Sequence, residues 1–183
     1  MGGCAKGSIE VAPGRGIVQR LIEQFGLAGI DEVVIVSSNP SPYEQYGRPI
    51  IPDVRSGMGP LGGVEAALGH FAGRSDATFF LPCDLPRLAA EELRKLLNAF
   101  DPALERVVYA RTSAFFDHPL CSIVHNGLLP EISAALDRGE RTVAGTWRRL
   151  GGRAVVIENE DAFLNLNTYE DVDAWRANRK ASE

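Results

Sequence analysis

From Ile17 to Ile157 the chain alternates short runs of β-branched and aromatic residues with longer apolar stripes at helical spacing, and this alternation narrows the accessible folds to one class. Ile17, Leu21, Ile22 and Phe25 share a helical face after the breaker Pro13-Gly14, and residues 32–37 then read as a buried strand. Residues 48–52 give a short strand, Leu61, Val64, Leu68 and Phe71 the next stripe, and residues 77–81 another strand. Leu93, Leu96, Leu97 and Phe100 form a helix face ahead of a strand at 106–110. The second half continues with a strand around 120–124, helices around 128–136 and 143–150, and a strand at 154–157. Asn167-Thr-Tyr-Glu170 has the capping-box form and predicts a last helix from about Thr168 towards Lys180. Strands separated by amphipathic helices imply parallel pairing and right-handed crossovers. The expected fold is therefore α/β: a doubly wound, mostly parallel, Rossmann-like sheet with helices on both faces. No linker divides the chain, so residues 1–183 are expected to form one domain.

Charge and cysteine usage exclude several functions. The chain carries 24 acidic and 19 basic residues, a formal net charge of -5, and its Lys and Arg are scattered. No basic stripe follows a phosphate backbone, so nucleic acid is not an expected partner. Cys4, Cys83 and Cys121 are odd in number and widely spaced, which fits neither a disulfide framework nor paired zinc ligands. No apolar run reaches the roughly 20 residues that span a bilayer, and the opening residues lack a signal-peptide core. A soluble cytoplasmic protein is expected.

In an open parallel sheet, ligands bind beyond the carboxyl ends of the strands. That rule selects Asn39 after the first clear strand, Asp53 after the second and Asp84 after the third. Asp84, held between Pro82 and Pro86, has the rigid setting of a carboxylate that takes Mg²⁺ with substrate phosphates; a turn or cap residue opening the next helix is the equal alternative. Asp53 after Pro52 is also ordinary turn chemistry. The segment Gly57 to Gly63 introduces a helix, with Gly59, Pro60 and Leu61 at its start; it either presents amides to a phosphate or packs helix tightly on sheet. Lys6, in a Gly-rich opening, is a point charge for phosphate or a solvated side chain. His70, His118 and His125 show no metal spacing and no nucleophile–base pattern. Cys83 reads as a small packed side chain, and Trp147 and Trp175 as packing.

Taken in order, Pro13-Gly-Arg15, Ile51-Pro-Asp53, Gly59-Pro-Leu-Gly-Gly63, Pro82-Cys-Asp-Leu-Pro86, His118-Pro-Leu-Cys121 and Asn165-Leu-Asn-Thr168 resemble segments of the molybdenum cofactor guanylyltransferases, across essentially the whole chain. The Gly-Pro-Leu and Pro-Cys-Asp-x-Pro segments are the most specific. The resemblance implies a Mg²⁺-dependent nucleotidyltransferase in which the terminal phosphate of molybdopterin attacks the α-phosphate of GTP and pyrophosphate leaves. It implies Asp84 as the metal-binding Asp and Lys6 as the phosphate-binding Lys. Asn39, Asp53 and the Gly59-Pro60-Leu61 loop are then nucleotide contacts, and Asn165 and Asn167 lie near substrate or metal. It leaves open a homo-oligomer and transient contact with molybdoenzyme maturation proteins. Two departures stand out. The residues from Met1 to Gly7 resemble only the tail of the family signature, in which a Leu-Ala-Gly-Gly loop and an Arg come first, and Ala5 stands where the family has Asp. A start assigned too late is the expected cause. The alternatives are a CTP- or sugar-phosphate nucleotidyltransferase and a degraded, non-catalytic nucleotide-binding paralogue.

Overall fold

The computed structural model describes residues 9–12 and 15–165. Strands β1 (Glu10–Ala12) and β2 (Arg15–Gly16) pair antiparallel and run directly into α1 (Ile17–Leu27). The apolar face of α1 buries Ile17, Val18, Leu21 and Phe25. Its end is a Schellman turn: Gly29 adopts φ +89°, its amide donates to Gly26, and the Ile30 amide reaches back to the Phe25 carbonyl at 2.9 Å. Strands β3 (Ile35–Val36) and β4 (Ile50–Ile51) then pair parallel to one another.

Helix α2 (Pro60–Phe71) begins with a proline at its first position, where the missing N–H costs nothing. It leads to β5 (Ala77–Phe80). Helix α3 (Ala90–Ala99) follows, and the buried Glu92 carboxylate reaches back to the Ala89 amide at 3.0 Å. Strands β6 (Val107–Thr112) and β7 (Asp117–His125), helices α4 (Leu129–Asp137) and α5 (Val143–Arg149), and β8 (Arg153–Ile157) complete the described order. Four of the strands form a sheet in the order β5-β7-β6-β8.

The α/β layering expected from the sequence is present. One apolar cluster packs α1 and α3 on one face through Leu21, Phe25, Leu93 and Leu96. A second packs α2, α4 and α5 on the other through Leu68, Ile132 and Trp147. The pairing is mixed, because β7 runs antiparallel to both β5 and β6. Only residues 113–116 separate β6 from β7, too few for a crossover, so the chain must turn back as a hairpin. Among the described residues, the β3–β4 pair is not hydrogen-bonded to the four-stranded sheet. The helix expected from Thr168, together with Lys6 and Asn167, lies outside the described residues.

Candidate active site at the strand ends

Asp84 is placed by the segment that follows β5. Two flanking core residues, Leu85 at 1% and Leu88 at 0% exposure, anchor the turn that carries it, and its carboxylate stays half-buried. Asp84 borders a cavity of about 700 Å³ that also touches Val36 at the end of β3 and Pro60 and Gly63 in the first turn of α2. Asp84 thus follows a strand end, the position the sequence rule selects.

Asp53 approaches the same helix turn. Its Oδ1 lies 3.5 Å from the position a Cβ on Gly63 would take, as does Cγ1 of Val36. The carboxylate thus sits against the amino-terminal turn of α2, where the unpaired amides and the helix dipole favour negative charge. Gly63 carries Asp53 on one side and borders the Asp84 cavity as well.

The loop before α2 has a fixed shape. Gly57 and Gly59 have φ of +73° and +63°, and Gly59 combines its value with ψ -160°, a region essentially restricted to glycine. Arg141 Nη1 donates to the Gly57 carbonyl at 2.9 Å, and Arg55 joins Glu65, at 3.1 Å, to Asp137. A Cβ at Gly59 would meet nothing closer than the Arg141 carbonyl at 3.8 Å, so the demand for glycine there comes from the backbone alone. Gly59→Ala is expected to lower unfolding stability by about 1–3 kcal/mol. Urea denaturation of the wild type and the variant reads the loss. Unchanged stability would show that the loop tolerates a side chain.

The other expected residues divide. Leu61 is fully buried, so its side chain is core and only its amide, in the first turn of the helix, faces the ligand question. Pro60 is exposed and has no amide to give. Asn39 is exposed, in a local turn where the Ser37 hydroxyl accepts its amide and donates to its carbonyl at 2.9 Å. Asn39 and Asn165 do not border the cavity; Asn165 is exposed just after the buried Phe163. Arg141, which fixes the glycine loop from 84 residues away, carries no local sequence signal.

Of the two described cysteines, neither is placed for nucleophilic work. Cys121 is completely buried, and burial first, with the Glu92 charge second, pushes its thiol far above the ordinary range. Cys83 is half-buried beside Asp84. Among the described residues no group of three or more His, Cys, Asp or Glu could cage a metal. A single hard carboxylate at a strand end fits a Mg²⁺ that keeps most of its shell as water and phosphate oxygens, not a site built by protein alone.

His118 stacks on Phe163, with ring centroids 4.1 Å apart, and its Nε2 is buried without a hydrogen-bond partner among the described residues. Burial lowers its pKa from the ordinary 6.5, against a smaller opposing pull from Asp117. A folded-state pKa below the unfolded one means that this contribution is fully present above about 6.5 and is lost as pH falls through the folded value. Urea midpoints measured from pH 7.5 to 5 are expected to fall more steeply in the wild type than in His118→Asn. Equal slopes would remove His118 from the acid response.

The profile of the MobA-like NTP transferase domain matches residues 1–153. The chain is 30% identical over 182 residues to a molybdenum cofactor guanylyltransferase of Yersinia pestis (strain Pestoides F), covering 98% of this chain and 90% of that one. It is 27% identical to the protein of the same name from Photobacterium profundum, covering 96% and 88%. Among solved structures, molybdopterin-guanine dinucleotide biosynthesis protein A from Archaeoglobus fulgidus superposes with a TM-score of 0.78 at 20% identity, over 98% of this chain and 92% of that one. A CMP:2-keto-3-deoxy-manno-octonic acid synthetase complexed with CTP gives 0.74 at 12% identity, over 97% and 92%, which speaks to the fold alone.

Proposed function

The chain belongs to the MobA-like NTP transferase family, and on that premise we propose that it transfers the GMP moiety of GTP to molybdopterin and releases pyrophosphate. The observation that carries the reading is Asp84, held half-buried at the end of β5 on the same cavity as the first turn of α2. In the reaction, a terminal phosphate oxygen of molybdopterin attacks the α-phosphorus of GTP. The bond from that phosphorus to the bridging oxygen breaks, and pyrophosphate takes the electron pair.

Catalysis of this kind is positioning and charge neutralisation, with no covalent step for the protein to supply. Asp84 would hold the Mg²⁺ that accompanies the triphosphate, and that ion would supply charge neutralisation at the reacting phosphates. The cavity borders on no Lys or Arg among the described residues, so a fixed positive charge has to come from elsewhere in the chain, and Lys6 is assigned the task. Asn39 and Asp53 are assigned to the nucleoside, with the amide of Leu61 and the shaped Gly59-Pro60 loop beside it. Asn165 and Asn167 are assigned to the acceptor side.

The test is calorimetric titration of GTP, CTP and ATP with Mg²⁺, followed by pyrophosphate release in the presence of molybdopterin. Selective GTP binding with molybdopterin-dependent release is expected. Preference for CTP would move the protein to a cytidylyl reaction, and no nucleotide binding at all would end the enzyme reading.

A further inference from the structure

Among the described residues, Asp53 to Met58 make no backbone–backbone hydrogen bond, and the segment ends on Gly57 and Gly59 with φ of +73° and +63°. Glycines have the most conformational freedom to lose. A segment with no ladder of its own samples many shapes, and a nucleotide meeting it would have to order it at the cost of affinity. Its shape is therefore imposed by its surroundings. We propose that Arg55 and Arg141 are positioning residues for the nucleotide: together they staple residues 53–59 to α2 and to the α4–α5 connection, and so hold the glycine loop in the shape that receives the nucleoside. This rests on the guanylyl reading above and concerns two residues to which that reading gives no task.

On its inner side the segment lies against the first turn of α2. A Cβ on Gly62 would meet Cβ of Met58 at 3.0 Å and the Arg55 carbonyl at 3.6 Å, and one on Gly63 would meet Asp53 Oδ1 at 3.5 Å. Such contacts limit how close the chain comes and carry no hydrogen-bond direction. Direction comes from two guanidinium groups. Arg55 forks out of the segment, with Nη2 on Oε1 of Glu65 at 3.1 Å and Nη1 on Oδ1 of Asp137, the last residue of α4. Glu65 is 5% exposed, and its Oε1 also accepts from the Ser133 hydroxyl of α4 at 2.7 Å. Arg141 reaches the opposite way, from the α4–α5 connection into the segment, and donates from Nη1 to the Gly57 carbonyl at 2.9 Å.

These bonds are not what joins the helices. Buried Leu61, Leu68, Ile132 and Leu136 already pack α2 on α4. The Asp137 side chain is 66% exposed and Arg141 is exposed, and pairs so open to water add little to global stability. Their effect falls on the segment itself. Asp53 lies two residues before Arg55, and Gly59 two after Gly57, so fixing positions 55 and 57 fixes both ends of what is assigned to the nucleoside. The fork also explains why the residue at 55 is Arg. A Lys ammonium would keep a positive charge beside the buried Glu65, but as a single point it cannot span both carboxylates.

NMR order parameters and steady-state kinetics test this on the wild type, Arg55→Lys and Arg141→Gln, the last a change at an exposed side chain that spares the core. In both variants the order parameters at the amides of Val54, Gly57 and Gly59 are expected to fall from about 0.85 to about 0.6 or below, with those of α3 unchanged. The KM for GTP is expected to rise about tenfold at an unchanged kcat, because the nucleotide must then order the segment itself while Asp84 keeps its place. Unchanged order parameters in both variants would overturn the proposal. So would a looser segment with an unchanged KM, or a fall in kcat alone. Loosening spread through α2 and α4 with a lowered urea midpoint would make the role structural and overturn positioning. The order parameters are read without nucleotide. A wild type that binds no GTP would therefore end the guanylyl reading, while the staple still stands or falls on the order parameters of the segment.

Discussion

Asp84→Asn is expected to lower the proposed Mg²⁺-dependent GMP transfer by about 10²–10³-fold, the scale seen when one preorganised electrostatic group is removed from a charge-developing site. Asn keeps the shape of the side chain and a polar atom at each branch, so the half-buried position stays filled. The loss should therefore appear in kcat at saturating Mg²⁺, with the urea midpoint close to that of the wild type. The alternative reading from sequence, a turn or cap residue opening α3, makes the opposite pair of predictions: a preserved rate and a lowered midpoint. The structure weighs against the cap, because the α3 start takes its acceptors from elsewhere. The Ala89 amide is satisfied by Glu92 at 3.0 Å and the Ala90 amide by Gln24 at 2.9 Å. A variant that folds as well as the parent and still turns over at the parental rate would remove Asp84 from the chemistry.

What the sequence made legible follows from what repeats locally. Helical stripes such as Leu61, Val64, Leu68 and Phe71 place α2 within a residue of its observed bounds, since a period of 3.6 on a buried face leaves little freedom. The strands from β3 onward were readable to within about three residues, but the short β1–β2 hairpin was not, and neither was strand direction. Pairing is a non-local property, and the brevity of the β6–β7 connection became decisive only once β7 proved to start at Asp117, ahead of the apolar run from Leu120. The candidate site was readable as a set of positions after strands, which put Asp53 and Asp84 forward. It was not readable as a shape: the hold of Arg141 on Gly57 and the fit of Asp53 against Gly63 both arise from tertiary contacts. Leu61 shows the cost of reading a motif as a unit, because its side chain belongs to the core while only its backbone belongs to the loop.

Trp147→Ala is expected to cost about 3–5 kcal/mol, the largest single loss in the described core. Against the roughly 5–15 kcal/mol that holds an ordinary domain together, it would leave the protein marginally folded or unfolded. Trp147 is 1% exposed and packs in the cluster of α2, α4 and α5, so no neighbour can relax into the volume without unseating another. Its indole has a second task. In β7 the register jumps, with Tyr109 opposite Ser122 and Ala110 opposite His118, so residues 119–121 bulge from the ladder. Pro119 sits in that bulge, where a residue without an N–H is tolerated, and its carbonyl accepts from Trp147 Nε1 at 2.8 Å. Leu120, from the same bulge, borders the cavity that Asp84 opens onto. Trp147→Phe separates the two tasks. It preserves most of the apolar volume but leaves the Pro119 carbonyl without its donor, for an expected cost of about 1–3 kcal/mol on top of the smaller packing loss. Urea denaturation of both variants gives the magnitudes, and exchange at the Leu120 and Cys121 amides reads the bulge directly. A Phe variant as stable as the parent, with unchanged exchange there, would mean that shape complementarity alone holds the bulge and that the indole hydrogen bond contributes nothing to the wall of the site.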